Sequence, residues 1–242
     1  MNDLLFYASN KYKGDSFLIF KEVKNFKHIS RKQLLEWKQL YADLGVQYCT
    51  ILDVNYPTDF NVLRYPPYVL YFKGNDKLLN HKHRFYLINE IDNTTTQAYL
   101  KENINTLVDN CVLITNDYET ERHIVNLFRE NNGKIIHILK EGLDKINYYE
   151  ANLNNELFIT QYPLGVHPKR HYFKEANIIA SIISTQLIAF SLAADSKAFN
   201  LINYFNDIGK EINCFPSSQA NDGNDLLIKS GANYITKITE CV

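Results

Sequence analysis

Apolar residues spaced three and four positions apart dominate the first part of the chain. They recur at helical spacing from Leu34 onwards, directly after Ser30, which suits an N-cap with Gln33 three residues later. Gly45 is well placed to end this helix. One helix is too short to fold alone, so we expect a small helical N-terminal region over residues 1–52.

After Pro67 the pattern changes to short apolar runs that alternate with amphipathic segments. The runs of strand length are Tyr68–Phe72, Phe85–Ile91, Cys111–Thr115, Lys134–Leu139, Leu157–Tyr162, Gln186–Leu192 and Glu211–Phe215. The helical segments are Thr94–Asp109, Glu119–Asn131, Glu175–Ser184, Ser196–Ile208 and Asp225–Ser230. This alternation predicts βαβ units on a mostly parallel sheet. We therefore expect an α/β, Rossmann-like doubly wound domain over residues 53–242.

Charge and cysteine content narrow the class of protein. Lys and Arg number 26 against 27 Asp and Glu, so any contact with nucleic acid must come from a local positive patch. The four cysteines are far apart and form no CxxC pair, which argues against a zinc ribbon or a disulfide scaffold. The N-terminus does not resemble a signal peptide, and no apolar run is long enough to cross a membrane. We expect a cytoplasmic protein with no membrane partner.

The strand-to-helix junctions are where a doubly wound sheet binds its ligands. The first of them, Asn89–Thr94, has no glycine to let backbone approach a dinucleotide. The chain has no P-loop, GxSxG or HExxH motif, and His81–Arg84 has no Cys or carboxylate at ligand spacing. We expect no cofactor, no metal site and no catalytic constellation.

The segment Gln161–Lys174 is the most informative junction. It holds two prolines and a glycine, and it places Lys169, Arg170 and Lys174 beside Phe173. Lys and Arg pair with phosphates, and a Phe ring offers a face on which a base stacks. The alternative is a surface loop whose charges are merely solvated.

A second polar loop, Phe215–Asn224, precedes the last predicted helix. Its Ser and Asn side chains suit phosphate binding beside a helix N-terminus. Helix capping alone would equally explain Asp222 or Asn224. Both interpretations stay open from the residues.

Taken in order, several motifs resemble the DNA-processing protein A (DprA/Smf) family over roughly residues 50 to 236. They correspond to the family patterns PPVLYxKG, GxGLD, FPxRNR and GxNxLIxxGA. The matching segments are Pro66–Gly74, Gly142–Asp144, Tyr162–Gly165, Phe173 with Asn177, and Gly223–Ala232. The family's VGSR turn reads here as Ile88–Ile91, and Ala176 and Ile178 replace both arginines of FPxRNR.

The resemblance implies a Rossmann-like fold, single-stranded DNA binding, and help in loading a RecA-type recombinase during DNA uptake and recombination. It also implies a homodimer that is not an enzyme and needs no cofactor. Apolar Leu226, Leu227 and Ile228 are candidates for the dimer surface, although a place in the monomer core explains them equally. By resemblance and composition together, the candidate nucleic-acid-binding residues are Lys169, Arg170, Phe173, Lys174 and Asn177.

Two other functions remain open. The first is a protein-interaction module that keeps the fold but has lost DNA binding, because the arginines of two family motifs are missing. The second is an enzyme on a similar sheet, such as a nucleotide phosphoribohydrolase, although the PGGxGTxxE run of that group has no counterpart here.

Overall fold

A computed structural model describes residues 1–25 and 29–242 and divides into two compact units. The N-terminal unit comprises Met1–Asp76 and Leu139–Phe173. The Rossmann-like unit comprises Lys77–Ile138 and Lys174–Val242. The division of the sequence at residue 52 stays a prediction, and the compact units separate at other positions. Within the described residues, no helix is both long and apolar enough to cross a membrane.

The elements follow the predicted alternation closely. The helices are α1 (Asn2–Lys11), α2 (Ser16–Glu22), α3 (Arg31–Asp43), α4 (Thr94–Asn110), α5 (Arg122–Glu130), α6 (Tyr172–Ile183), α7 (Phe199–Asp207) and α8 (Gly223–Lys229). The strands are β1 (Gln47–Thr50), β2 (Val69–Gly74), β3 (Arg84–Asn89), β4 (Val112–Thr115), β5 (Lys134–Ile138), β6 (Glu156–Thr160), β7 (Gln186–Ser191), β8 (Glu211–Cys214) and β9 (Asn233–Tyr234).

The N-terminal unit packs its helices on an antiparallel ladder of β1, β2 and β6. Helix α3 begins as predicted, because the Ser30 hydroxyl accepts the N–H of Gln33 at 3.3 Å. Buried rings form the core, with Tyr41 5.1 Å from Phe6 and 5.2 Å from Tyr71 between centroids. The sequence predicted a mostly parallel sheet and did not indicate that β2 and β6 would pair antiparallel. A run of apolar residues shows that a strand is buried and carries no information on its direction.

The Rossmann-like unit confirms the predicted α/β class. Its six strands lie in the order β5-β4-β3-β7-β8-β9, and the paired strands run parallel. This is the doubly wound order, with its switch point between β3 and β7. Every residue of β4 and β7 is buried, as expected for strands covered on both faces. Strand β9 was not predicted, because two exposed residues make no readable pattern.

Candidate nucleic-acid interface

Residues 167–174, here called the cationic segment, expose positive charge between buried anchors. Lys169 and Arg170 are exposed, whereas Val166 and Tyr172 are buried on either side of them. The Tyr172 ring stacks on Tyr162 with centroids 4.0 Å apart. The Lys169 ammonium lies 5.6 Å from the centroid of the Tyr172 ring. The buried side chains of Val166 and Tyr172 fix the backbone on both sides, so Lys169 and Arg170 extend into solvent from an ordered loop.

Helix α6 begins at Tyr172, three residues earlier than the predicted Glu175. Phe173 and Lys174 therefore lie on its first turn rather than in the loop. The Phe173 side chain is 43% exposed, and Lys174 is exposed. The early start follows from the stacking of Tyr172 on Tyr162, a tertiary contact that local sequence does not show.

Lys140 is a cation that sequence reasoning missed. Its ammonium lies 5.4 Å from the centroid of the Phe173 ring, a cation–π distance. The signal was its position directly after the apolar run that ends at Leu139, because the residues that follow a strand of a doubly wound sheet are candidates for ligand contact. Lys140 adds a fourth positive group to the candidates Lys169, Arg170 and Lys174.

Asp144 holds the chain just before the cationic segment. Its Oδ1 accepts the N–H of Gly165 at 2.8 Å, and its Oδ2 lies 2.9 Å from the Lys145 ammonium. The φ of Gly165 is +78°, a conformation that favours glycine. Partial burial opposes ionisation of Asp144. The Gly165 N–H and the Lys145 ammonium outweigh it, so the pKa of this carboxyl lies below its usual value.

We expect Asp144→Ala to loosen the cationic segment without unfolding the protein. The substitution removes a charge-assisted acceptor of the Gly165 N–H, a bond of about 1.5–3 kcal/mol. Trypsin should then cut after Lys169 or Arg170 about tenfold faster or more, because proteolysis follows the free energy of local opening. Asp43→Ala is the control, since this exposed carboxylate accepts from Gln39 in its own helix. Equal cleavage rates in both variants would show that Asp144 does not hold the segment.

Asn177 lies one turn further along α6 and is half-buried. Its side-chain oxygen accepts from the Asn116 amide at 2.9 Å and from the Tyr118 hydroxyl at 2.8 Å. The oxygen of this candidate is therefore engaged inside the Rossmann-like unit. Its amide nitrogen is the group left for a ligand, so the binding role of Asn177 stays a prediction.

The switch point between β3 and β7 is filled by the protein's own groups. The Glu90 carboxylate accepts the N–H of Ala193 at 3.1 Å and the hydroxyl of Ser196 at 2.7 Å. Beside it, the Ser191 hydroxyl donates to Asn89 at 2.6 Å. Backbone N–H groups at such a turn are what a phosphate uses in other doubly wound sheets. Here the Glu90 carboxylate occupies one such group, the N–H of Ala193, and its charge repels a second anion.

The first strand-to-helix turn is closed in a similar way. The Asn93 side chain caps α4 by accepting the N–H groups of Thr95 and Thr96, and the Thr96 hydroxyl accepts from the Asn93 backbone. The backbone N–H groups of Asn93, Thr95 and Thr96, which could otherwise bind a phosphate, therefore already have acceptors within the turn. Throughout residues 1–25 and 29–242, no group of three or more His, Cys, Asp or Glu is placed to hold a metal ion.

A buried carboxylate organises the end of β4. Glu121 accepts from the Thr115 hydroxyl at 2.6 Å, from the Asn116 N–H at 2.9 Å, and from the Tyr86 hydroxyl. Burial raises the pKa of Glu121 above its usual value, although these three hydrogen bonds act in the opposite direction. The network sets the positions of Asn116 and Tyr118, which in turn hold the oxygen of Asn177.

The loop Phe215–Asn224 is occupied by capping interactions. Asp222 accepts the N–H groups of Asn224 and Asp225 through one oxygen and that of Ser218 through the other. The buried Asn224 amide donates to the carbonyls of Phe190 and Phe215, each at 3.0 Å. These contacts agree with the capping interpretation of the loop.

Comparison with known proteins settles the family. The profile of the family described as DNA recombination-mediator protein A matches residues 47–242. The chain belongs to this family. A curated relative, DNA processing protein DprA of Streptococcus pneumoniae, is 24% identical over 200 residues, which cover 77% of this chain and 70% of the relative.

Two solved structures of DprA proteins share the fold. That from Streptococcus pneumoniae has a TM-score of 0.72 at 20% identity and covers 98% of this chain and 84% of its own. That from Helicobacter pylori, reported with a single-stranded DNA binding mode, has a TM-score of 0.66 at 21% identity and covers 81% of this chain and 94% of its own. At these identities the likeness shows the DprA fold alone.

Proposed function

We propose that this DNA recombination-mediator protein binds single-stranded DNA through the cationic segment. The observation that carries the proposal is the exposure of Lys169 and Arg170 between buried anchors, followed by the half-exposed ring of Phe173. Cations that lie close together on one exposed segment neutralise phosphates of a single strand, and a neighbouring ring stacks a base. The Lys140 ammonium beside Phe173 adds charge at the stacking face.

Single strands suit this surface better than a duplex. An aromatic ring offers stacking only to a base that is not already stacked and paired. Proteins commonly contact a duplex by laying a whole helix or a two-stranded ribbon in the major groove. The cationic segment contains only the first turn of α6 and therefore lacks such an element. The single-stranded DNA binding named for the Helicobacter pylori relative supports the same ligand here.

The wider role follows from the family. We propose that the bound strand is handed to a RecA-type recombinase during DNA uptake and recombination, and that the protein acts by binding and not as an enzyme. The free thiols of all four cysteines suit the reducing cytoplasm in which we place this role.

Self-association is part of the proposal. Leu226 on α8 is 44% exposed, whereas Leu227 is buried, so Leu226 is the member of this apolar trio available to a second copy. Light scattering at tens of micromolar protein is expected to give twice the mass of one chain. A single-chain mass under these conditions contradicts the dimer.

A second candidate function is a protein-interaction module without DNA binding. The Glu90 carboxylate in the switch-point turn favours it, because this turn is closed to phosphate. Fluorescence anisotropy with labelled oligo-dT and with a matched duplex separates the two functions. We expect oligo-dT to bind more tightly than duplex, with an affinity that falls as salt rises. If neither DNA binds at low salt, the protein-interaction module is the function supported.

A further inference from the structure

Helix α2 presents phenylalanines and cations on the face that a surface helix normally makes polar. It buries Ile19, which is 1% exposed, while Phe17 is 52% and Phe20 44% exposed. Lys21 and Lys24 are exposed as well. Positions 17, 20 and 21 have the spacing of one helix face, so the two rings and the Lys21 ammonium share a side. Lys24 follows in the 3-10 turn Val23–Asn25 directly after α2. The role proposed for the cationic segment leaves this face unexplained.

Tyr65 completes an aromatic surface within the N-terminal unit. Its ring centroid lies 5.3 Å from Phe17 at an interplanar angle of 79°, and 5.2 Å from Phe20 at 57°. The exposed guanidinium of Arg64 lies 5.3 Å from the Tyr65 centroid. Steeply tilted contacts of this kind hold the rings in place without stacking their faces together. We call Phe17, Phe20 and Tyr65 the aromatic platform.

The charge around the platform is positive. Residues 11–24 carry four lysines against two acidic residues. Both acids serve local contacts: the Asp15 side chain caps α2 by accepting the Leu18 N–H, and Glu22 accepts from the Asn25 amide at 3.1 Å. With both acids counted, residues 11–24 carry a net charge of +2, and the exposed Lys21 and Lys24 lie close to the rings in the chain.

We propose that the aromatic platform is a second contact surface for single-stranded DNA, on which bases stack while Lys21, Lys24 and Arg64 meet the phosphates. Rings flanked by cations complement a polyanion whose bases offer stacking faces. An apolar protein partner would gain from the rings and nothing from the cations. The inference rests on the proposed single-strand binding, but it does not depend on which residues of the cationic segment carry that binding.

Two paired variants test the platform with an oligo-dT of about 20 nucleotides, longer than the roughly 4–16 nucleotides that one small binding domain covers. Phe17→Leu with Phe20→Leu keeps apolar bulk and removes the ring faces, so binding should weaken about fivefold or more with an unchanged salt slope. Lys21→Gln with Lys24→Gln should lower the salt slope by about 1.4. Leu35→Ala with Leu52→Ala is the control, because both residues are exposed and apolar in the same unit. It should leave affinity and slope unchanged.

A fluorescence measurement reads stacking directly. Phe20→Trp combined with Trp37→Phe places the chain's single indole on the platform, and oligo-dT should quench its emission. The quenching should persist when Lys169, Arg170 and Lys174 are changed to Gln, although more DNA will be needed. Persistence would show that the platform binds independently of the cationic segment.

The outcomes separate this inference from the proposed function. Unchanged affinity in the leucine pair, together with unquenched emission from the indole placed on the platform, overturns the platform even if the cationic-segment variant loses binding as proposed. A leucine pair that instead halves the particle mass in light scattering assigns the platform to a second copy of the chain, which also overturns it. A parent protein that binds no oligo-dT overturns both proposals.

Discussion

Replacing Lys169, Arg170 and Lys174 by Gln is expected to lower the slope of log affinity for oligo-dT against log salt by about two. Each phosphate contact on a single strand contributes about 0.7 to that slope, and the variant removes three such contacts. The expected loss is greatest at low salt, where released counterions contribute most. Fluorescence anisotropy at four or more salt concentrations measures the slope. The control is a triple variant that removes the same charge from other exposed positions, with Gln in place of Lys101, Arg122 and Lys229.

Phe173→Ala should act differently from the charge variant. Loss of one stacked base is worth about 1–3 kcal/mol, so affinity should fall roughly 5- to 150-fold at every salt concentration. The slope should stay that of the parent, because no phosphate contact is removed. If the charge variant keeps the parent slope while the control lowers it, the cationic segment is not the contact surface.

Glu121→Ala is expected to cost about 3 kcal/mol or more in the free energy of unfolding. It leaves the buried hydroxyls of Thr115 and Tyr86 and the N–H of Asn116 without their shared acceptor, and each such loss costs about 1–3 kcal/mol. Urea denaturation measures the change. Glu119→Ala is the matched control in the same turn, because its 3.9 Å ion pair with Arg122 is exposed and should be worth under about 1 kcal/mol. Equal costs for the two variants would contradict the structural role of Glu121.

The same network predicts a pH dependence. The folded protein holds the Glu121 proton to higher pH than the unfolded chain does, because burial raises the pKa of this carboxyl. Its contribution to stability is therefore fully present below the unfolded pKa of about 4.3 and is lost as pH rises through the folded pKa. Glu121→Gln cannot titrate, so the stability difference between parent and variant should change across that interval. A difference that is constant with pH would exclude this titration.

Much of the fold could be predicted from the sequence because buried strands and helix caps leave local signals. The N-cap at Ser30 predicted the start of α3. The apolar run Cys111–Thr115 predicted the bounds of β4 to within one residue. Strand direction could not be predicted, since β2 and β6 look like any buried strand and yet pair antiparallel. Direction is decided by which strands the chain brings together, and no single segment records it.

The candidate site was predicted less completely, for reasons that are tertiary. The charges of Lys169 and Arg170 could be read from the sequence, but the start of α6 depends on the stacking of Tyr172 on Tyr162. Lys140 joins Phe173 from a distant position in the chain. The outward direction of Phe17 and Phe20 appears only in the structure, where Ile19 of the same helix is the buried residue.

Photo-crosslinking of a 4-thiothymidine oligonucleotide, followed by mass spectrometry, tests most directly whether the cationic segment contacts DNA. A cross-link forms only where a base lies against a side chain, so the map does not depend on what a substitution does to folding. We predict cross-links within residues 167–177, with Phe173 among the modified residues, and their loss under competition by unlabelled oligo-dT. Competed cross-links confined to other parts of the chain would contradict the account.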